Sequence, residues 1–223
     1  MPTTLVLIPT DLERRRLAPR LAAAPAGGIV IELCGFGPVA AAARAAGLIA
    51  RHRPDRVLLA GIAGRLVDHL GVGRAYRFSE VACYGIGAGT GAGFQPAGAM
   101  GWPQWPGDPA DPAAAISDLI TLGPPPGSAP SAGRLLTACA ASATADDVAL
   151  RRRAFPTAVA EDMEGFGVAV ACRLAGIPLE IVRGISNVAG DRDHARWQID
   201  SALAATAEVA AAVLASPIPE QPR

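Results

Sequence analysis

The sequence predicts an α/β fold with a largely parallel sheet, and three observations support this. Segments typical of strands and of helices alternate along the 223 residues, which is the pattern of such folds. The segment RVLLA at 56–60 is apolar after its arginine, as expected of a strand that is buried on both faces. Between Glu161 and Asp193, a helix and a strand follow one another with almost no loop residues to spare. A chain of this length can form one well-buried domain.

The first half of the chain is predicted to contain three strands, two helices and a further β segment. Its strands are runs of leucine and β-branched residues, a composition that favours strands. Pro38 stands where the first turn of a helix tolerates proline, and Pro54 ends that helix. We expect a glycine turn at 61–64 after the third strand. In order, the segments are a strand at 4–8, a turn into a helix at 9–17, a strand within 28–35, a helix at 39–52, a strand at 56–60 and a β segment at 75–85.

The middle of the chain is rich in Gly and Pro. Residues 86–112 form a long irregular stretch, which in a compact domain is usually a functional loop or a disordered one. We place one domain at 1–215 and a flexible C-terminal tail at 216–223. The remaining segments are a helix–loop unit at 113–133, a strand within 134–142, a helix at 144–154 and an alanine-rich helix at 197–214.

The segment EDMEGFGVAVACRLAGIPLEIVRGISNVAGDRD (161–193) is the most informative part of the chain. A strand at 157–160, a helix opened at 162–164 and a strand at 179–186 predict a βαβ crossover with parallel strands. In that arrangement Glu164 and Asn187 share one crevice, the place where open α/β sheets bind ligands. The alternative is that Glu164 only caps a helix and Asn187 only begins a turn.

Composition excludes several classes of function. The chain has 20 basic and 20 acidic residues and few aromatic residues, which argues against nucleic-acid binding. All basic residues are arginine, so Schiff-base and pyridoxal chemistry and a Walker lysine are excluded. The four cysteines and three histidines are scattered without metal-ligand spacing, so we expect no metal and no cofactor. Neither a signal peptide nor a membrane-spanning run is visible, which favours a cytoplasmic protein without membrane contact.

A glycine motif at 35–40, GFGPVA, matches the dinucleotide pattern G-x-G-x-x-A. Binding of NAD or FAD requires an acidic residue at the end of the following strand, where it reaches the ribose. Asp55 precedes the strand at 56–60 and therefore lies at the opposite edge of the sheet. We instead expect the glycines to allow a tight turn and close helix packing.

Polar residues are expected to converge at the carboxyl edge of the sheet. Glu13 follows the first strand, the glycine turn at 61–64 follows the third, and Glu164 and Asn187 follow two others. Two carboxylates, an amide and a bare glycine turn would then face one cleft. With neither a serine–histidine pair nor a metal motif, this set suits acid–base and hydrogen-bond chemistry on a substrate rich in hydroxyl groups.

These residues resemble the nucleoside phosphorylase/nucleosidase superfamily over nearly the whole chain. The similarity lies in residues 33–66 (the glycine turn, helix and strand), in LERR around Glu13, and in the M-E-x helix and V-R-x-I-S-[DN] strand of 161–187. The segments MEGFG, VRGISNVAGDRD and GFQP…MGWP resemble in particular the futalosine hydrolase branch of menaquinone biosynthesis. The resemblance implies a single-domain three-layer sandwich with a mixed, largely parallel central sheet. It also implies a small-molecule nucleoside substrate and a homo-oligomer.

The resemblance also implies roles for individual residues. Glu164 would bind the ribose hydroxyls, Glu13 would orient or deprotonate the attacking water, and Asn187 would hydrogen-bond the purine. The implied activity is hydrolysis of the N-glycosidic bond of futalosine, with release of hypoxanthine. Solvent, Asp191 and Asp193 remain candidates for protonating the leaving purine. The implied substrate contacts are Met163 against the ribose and, at the reaction centre, Gly61, Ile62, Ala63 and Gly64. Two interpretations stay open for Phe94, Met100 and Trp102: they line or cover a pocket for an extended 5′ substituent, or they are ordinary loop packing.

Two positions bear on the alternatives. Methylthioadenosine/adenosylhomocysteine nucleosidases carry Asp where this chain has Asn187, and an amide favours a 6-oxopurine because it donates without acting as an acid. Hexameric phosphorylases place Arg and Ser near Leu59 and Ile62 to hold phosphate, so their absence favours water as the nucleophile. A nucleosidase of the methylthioadenosine type, a purine nucleoside phosphorylase and a non-catalytic nucleoside-binding relative stay open as alternatives.

Overall fold

A computed structural model describes residues 2–23, 28–110, 114–122 and 131–218. Within these residues the helices are α1 (Asp11–Leu21), α2 (Pro38–His52), α3 (Ala145–Ala154), α4 (Gly165–Ala175) and α5 (Ile199–Ala215). The strands are β1 (Thr3–Ile8), β2 (Gly28–Leu33), β3 (Arg56–Arg65), β4 (Ala75–Phe78), β5 (Glu80–Tyr84), β6 (Gly87–Ala88), β7 (Gln95–Pro96), β8 (Leu119–Thr121), β9 (Arg134–Ala138), β10 (Ala158–Asp162) and β11 (Leu179–Val188). None of the helices in these ranges is both long enough and apolar enough to cross a membrane.

The layers follow from the alternation of side chains along the buried strands. Leu7 and Leu59 belong to a core cluster shared with α2 and α4. Their neighbours Ile8 and Leu58 point to the opposite face, into a cluster shared with α1 and α5. Because successive strand residues face opposite sides, continuous apolar strands are buried between two helical layers. The predicted three-layer sandwich is confirmed.

The sheet is mixed, as the resemblance implied. β2, β1, β3 and β11 run parallel to one another, and β10, β9 and β5 form a second parallel group. The two groups join through antiparallel pairing of β10 with β3, while β4 and β8 are antiparallel to β11 and β5. A separate two-stranded ribbon is formed by β6 and β7.

The path of β3 brings the functional segments together. β11 pairs with one edge of β3 from Val57 to Arg65. The other edge is shared: β1 pairs with its first residues up to Leu59, and β10 pairs in the opposite direction at Gly64 and Arg65. The carboxyl ends of β1 and β10 therefore point toward each other across the gap at residues 60–63. The chain segments that follow them enter the same space.

Several sequence predictions are corrected by this topology. The βαβ crossover is wrong, because β10 is antiparallel to β3 while β11 is parallel to it. The turn at 61–64 is wrong, because β3 continues to Arg65 with β11 hydrogen-bonded alongside. The β segment at 75–85 is two strands that pair with different neighbours. The described part of 113–133 contains the strand β8 rather than an α-helix.

Most helix boundaries agree with the sequence signals. α2 spans Pro38–His52, and its C-cap Arg53 adopts the left-handed conformation just before Pro54. α4 begins at Gly165, later than the predicted 162–164, and ends at Ala175, where the left-handed Gly176 is the C-cap. Such a glycine cap is favoured because it lacks a Cβ. α5 ends at Ala215; of the predicted tail, residues 219–223 lie outside the described part of the chain.

Candidate active site

A cleft of about 400 Å³ opens where the ends of β1, β10 and β11 meet. Its lining includes Glu13, Glu164 and Asn187 together with Met163. The convergence predicted from sequence is therefore found, although its geometric reason differs. In place of one shared carboxyl edge, two oppositely directed strands end against each other and β11 ends beside them.

Glu13 belongs to the first turn of α1 and faces the cleft floor. Its Oε2 accepts hydrogen bonds from the Thr10 backbone N–H (3.0 Å) and hydroxyl (2.5 Å), which completes a capping box. Its Oε1 accepts the backbone N–H of Ile62 at 2.9 Å. The helix cap thus also fixes the orientation of a buried carboxylate, which is only 4% exposed.

Glu164 occupies the position before α4, yet its side chain does not cap that helix. The capping function belongs to Asp162, whose Oδ2 accepts the Gly165 N–H at 2.9 Å. Glu164 instead turns toward the cleft, where Oε1 accepts the Gly37 N–H at 3.1 Å and Oε2 lies 3.2 Å from Arg183 Nη2. The alternative that Glu164 serves only as a cap is therefore wrong.

The glycine turn before α2 supplies this contact to Glu164. Gly35 and Gly37 have φ angles of 89° and 86°, which L side chains rarely adopt. Their conformation directs the Gly37 N–H toward a carboxylate on another element. Asp55 lies at the far end of β1, where its Oδ2 accepts the Thr3 N–H at 2.6 Å. The predicted tight turn is therefore confirmed. Its backbone contacts Glu164 in the cleft.

Arg183 contacts two residues of the cleft lining and has no role predicted from the sequence. It is fully buried on β11, and Nη2 contacts Asp162 Oδ2 at 2.5 Å as well as Glu164. Burial lowers its pKa, but the facing carboxylates of Asp162 and Glu164 outweigh this and raise the pKa above the usual arginine value. Nη1 has no hydrogen-bond partner among the described residues. An arginine in the middle of an apolar strand was the sequence signal for this role.

Gly61 lies behind the cleft floor rather than in its lining. A Cβ at this position would stand 2.3 Å from Arg183 Nη1 and 2.7 Å from Glu13 Oε1. Both functional groups therefore occupy the space that a side chain would take. The other predicted members of this segment, Ile62, Ala63 and Gly64, do line the cleft.

Asn187 stands at the end of β11, beside a β-bulge that shifts its register against β3. Its Oδ1 accepts the hydroxyl of Ser186 at 2.8 Å, and its Nδ2 donates to the Val188 carbonyl at 2.9 Å. The amide nitrogen carries two hydrogens, so the second one is available to a ligand in the cleft.

Glu161, which also lines the cleft, was another residue without a predicted role. Its two oxygens accept the N–H and hydroxyl of Ser142 at 2.8 and 2.7 Å, and Arg151 pairs with it. Both of its oxygens are therefore already engaged within the chain. This pair fixes the loop after β9 against the side of the cleft.

Phe94, Met100 and Trp102 lie outside the lining of this cleft. Phe94 packs on Tyr84 with ring centroids 4.8 Å apart, which is ordinary packing. Trp102 is 74% exposed and Met100 is also exposed. Within this chain, the expectation that the three residues cover the pocket is not met.

The charges on the floor are strongly interdependent. Burial raises the pKa of Glu164 from its usual 4.5 to about 7; the charges of Asp162 and Glu13 add to this, while Arg183 and the Gly37 N–H oppose it. A carboxyl group of this kind gains or loses its proton near neutral pH. Perturbed carboxyl groups in clefts are typical of catalytic sites.

The family model of the phosphorylase superfamily matches residues 20–217, in agreement with the mixed sheet and the cleft. The chain belongs to this superfamily. Among curated proteins it is 37% identical over 176 residues to futalosine hydrolase of Streptomyces coelicolor. The aligned region covers 77% of this chain and 72% of that protein. The chain is also 33% identical to 5′-methylthioadenosine/S-adenosylhomocysteine nucleosidase of Colwellia psychrerythraea, over 73% of this chain and 68% of that one.

A solved structure agrees with the fold. The native structure of futalosine hydrolase of Helicobacter pylori superimposes with a TM-score of 0.73 at 14% sequence identity. The match covers 96% of this chain and 97% of that chain. At this level of identity the likeness concerns the fold, which is confirmed.

Proposed function

We propose that the protein hydrolyses the N-glycosidic bond of futalosine and releases hypoxanthine and dehypoxanthine futalosine, a step of menaquinone biosynthesis. The observation that carries the proposal is the meeting of Glu13 and Glu164 at one cleft floor with Asn187 at its side. The support from relatives is the 37% identity to a futalosine hydrolase. The enzyme would be an N-glycosyl hydrolase that works with its own side chains.

In this proposal the sugar lies over the floor of the cleft. Cleavage passes through an oxocarbenium-like sugar, as in glycoside hydrolysis generally. Glu164 accepts hydrogen bonds from the ribose hydroxyls and keeps electron density available to the cationic ring, while Met163 packs against the sugar. Glu13 orients or deprotonates the attacking water through Oε1, which the Ile62 N–H already fixes. Positioned groups of this kind act without reorganising during the reaction.

Asn187 reads the purine from the side of the cleft. Its free N–H can donate to N7 or to a 6-oxo group but cannot supply a proton as an acid. Asp191 is not suited to that task either, because the hydrogen bond from the Asp193 N–H, with Arg196, lowers its pKa. Asp193 is also absent from the cleft lining, and its Oδ1 already accepts the Ala195 N–H at 3.1 Å. Solvent at the open mouth is then the proton source for the leaving purine.

Water rather than phosphate is the proposed nucleophile. Leu59 is fully buried in the core and Ile62 presents only its backbone N–H to Glu13. Neither position offers a cationic or hydroxyl side chain to a phosphate ion. Arg183, the guanidinium at the floor, is already paired with two carboxylates.

The test is product analysis on a panel of futalosine, inosine and methylthioadenosine, each with and without phosphate. Mass spectrometry should identify hypoxanthine as the free base released from futalosine, and the rate of release should not depend on phosphate. Faster release of adenine from methylthioadenosine would support the alternative nucleosidase. A requirement for phosphate would indicate a phosphorylase. If every nucleoside stays intact, a binding or storage role replaces the proposal.

We further propose a cytoplasmic homo-oligomer. Phe36 and Val39, at the cleft mouth and on the adjoining first turn of α2, are 66% and 81% exposed, and Leu12 across the cleft is exposed as well. Exposed apolar residues that cluster in this way are typical of protein contacts. Light scattering coupled to size-exclusion chromatography should report a mass above that of one 22.6 kDa chain.

A further inference from the structure

A cluster of cationic and aromatic side chains at the mouth of the cleft has no role in the hydrolysis proposed for this site. The loop from Asp191 to Trp197 connects β11 to α5. Three of its side chains, Arg192, His194 and Trp197, line the cleft. The Arg192 guanidinium lies 5.0 Å from the centre of the Trp197 ring, and the His194 ring lies 4.4 Å from it.

Pairing within the loop leaves Arg192 without an acidic partner. Arg196 contacts both acids of the loop, with Asp191 at 2.7 Å and Asp193 at 3.4 Å. The Trp197 indole is fixed by its N–H bond to the Asp191 carbonyl at 3.1 Å. Across the described ranges Arg192 forms no ion pair and rests on this fixed ring. A guanidinium that stacks on an aromatic face keeps its N–H edge free for a planar anion.

The other arginines next to the cleft lining already form ion pairs with carboxylates of the chain. Arg183 pairs with Asp162 and Glu164, and Arg151 pairs with Glu161. With Glu13 also on the floor, the interior of the cleft repels a negative group. An anionic part of a ligand is therefore stable only at the mouth, where Arg192 stands.

We propose that Arg192 is a specificity-determining residue that binds a carboxylate at the end of the substrate's 5′ substituent. This inference rests on the proposed function. A 6-oxopurine and a ribose are both uncharged, so a negative group that pairs with Arg192 would belong to the 5′ substituent of the sugar. Carboxylates match the planar fork of arginine better than they match a point charge.

The experiment compares a nucleoside that carries a carboxylate on its 5′ substituent with its methyl ester. Binding is measured by isothermal titration calorimetry in the Glu164→Gln background, so that turnover does not interfere. Adding Arg192→Gln should lower the ratio of acid to ester affinity about tenfold, the lower range for a charge-assisted hydrogen bond near solvent. Raising the salt concentration should reduce the same ratio in the parent variant.

Arg44→Gln is the matched control, because Arg44 is an exposed arginine of α2 outside the cleft lining. It should leave the acid-to-ester ratio as in the parent. An unchanged ratio in Arg192→Gln, or an equal loss for acid and ester, would overturn the proposal. If the wild type cleaves no nucleoside while the ratio still depends on Arg192, the proposed function fails and the carboxylate subsite stands.

Discussion

Arg183 forms a buried contact with Glu164 of the cleft lining, with Nη2 of the arginine 3.2 Å from Oε2 of the glutamate. The same nitrogen also contacts Asp162, so one guanidinium faces two carboxylates. One positive charge only partly neutralises two negative ones in a buried site. Burial raises the pKa of Glu164 to about 7 and the charge of Asp162 adds to this, while Arg183 opposes it, so Glu164 gains or loses its proton near neutral pH.

The first prediction concerns the role of Glu164 in catalysis. Glu164→Gln keeps the size of the side chain but removes the carboxylate that would face the ribose. We expect futalosine hydrolysis to fall roughly 100- to 1000-fold, the typical loss for one preorganised electrostatic group. Glu208→Gln, an exposed position on α5, is the control for the charge change. If Glu164→Gln turns over futalosine as fast as the control variant does, Glu164 has no catalytic role.

The second prediction concerns the pH dependence of activity. Since burial raises the pKa of Glu164 to about 7, the carboxylate is lost as the pH falls below neutral. Protonated Glu164 accepts hydrogen bonds poorly, so kcat/KM should decline toward acid with an apparent midpoint near that pKa. Initial rates between pH 5 and 9 test this. A flat profile across that range would contradict the assignment.

The same pKa makes a prediction about stability. The folded-state pKa of about 7 exceeds the unfolded value of 4.5, so the folded state binds this proton more tightly. The corresponding stability is complete below pH 4.5 and is lost as the pH rises through 7. Glutamine lacks this titration, so the stability of Glu164→Gln relative to wild type should rise across that window, by at most about 3 kcal/mol. Urea unfolding at several pH values measures the trend; an opposite trend would show a lowered pKa.

A further prediction uses two glycines. Gly61→Ala should displace Arg183 Nη1 and Glu13 Oε1, because a Cβ would stand within 2.7 Å of both atoms. A misplacement of this size can cost about 100-fold in rate. Gly47→Ala in α2 has open space around its Cβ and should be neutral or stabilising, since alanine favours helices. Steady-state kinetics and thermal melts of both variants provide the test, and equal rates would exclude the close packing behind the floor.

The last prediction concerns base selectivity. Asn187→Asp introduces a group that can donate a proton to N7 and accept from a 6-amino group. The ratio of kcat/KM for 6-amino over 6-oxo nucleosides should therefore rise. A site that pairs with one edge pattern can reject the other by about 10⁴. The measurement is competition between the two nucleosides in one reaction, and a constant ratio would show that Asn187 does not read the base.

Local signals predicted much of the secondary structure. Pro38, Pro54 and Gly176 act on the few residues around them, and the structure has helix ends at or beside these positions. The candidate site was predicted less completely. Glu13, Glu164 and Asn187 were found because each follows an apolar strand. Arg183 was not assigned a role, because its importance depends on two carboxylates that lie 19 and 21 positions away.

The sequence alone determined the alternation of strands and helices and the polar residues that follow the apolar strands, since these follow from apolar periodicity and from local caps. The three layers were implied by the resemblance to the superfamily. The tertiary structure decided which strands run antiparallel. Only the shared edge of β3 shows that β1 and β10 end against each other, because strand direction is set by long-range pairing and not by local composition. It also decided the charge state of the floor, since the pKa of Glu164 depends on burial and on neighbours that come from distant parts of the chain.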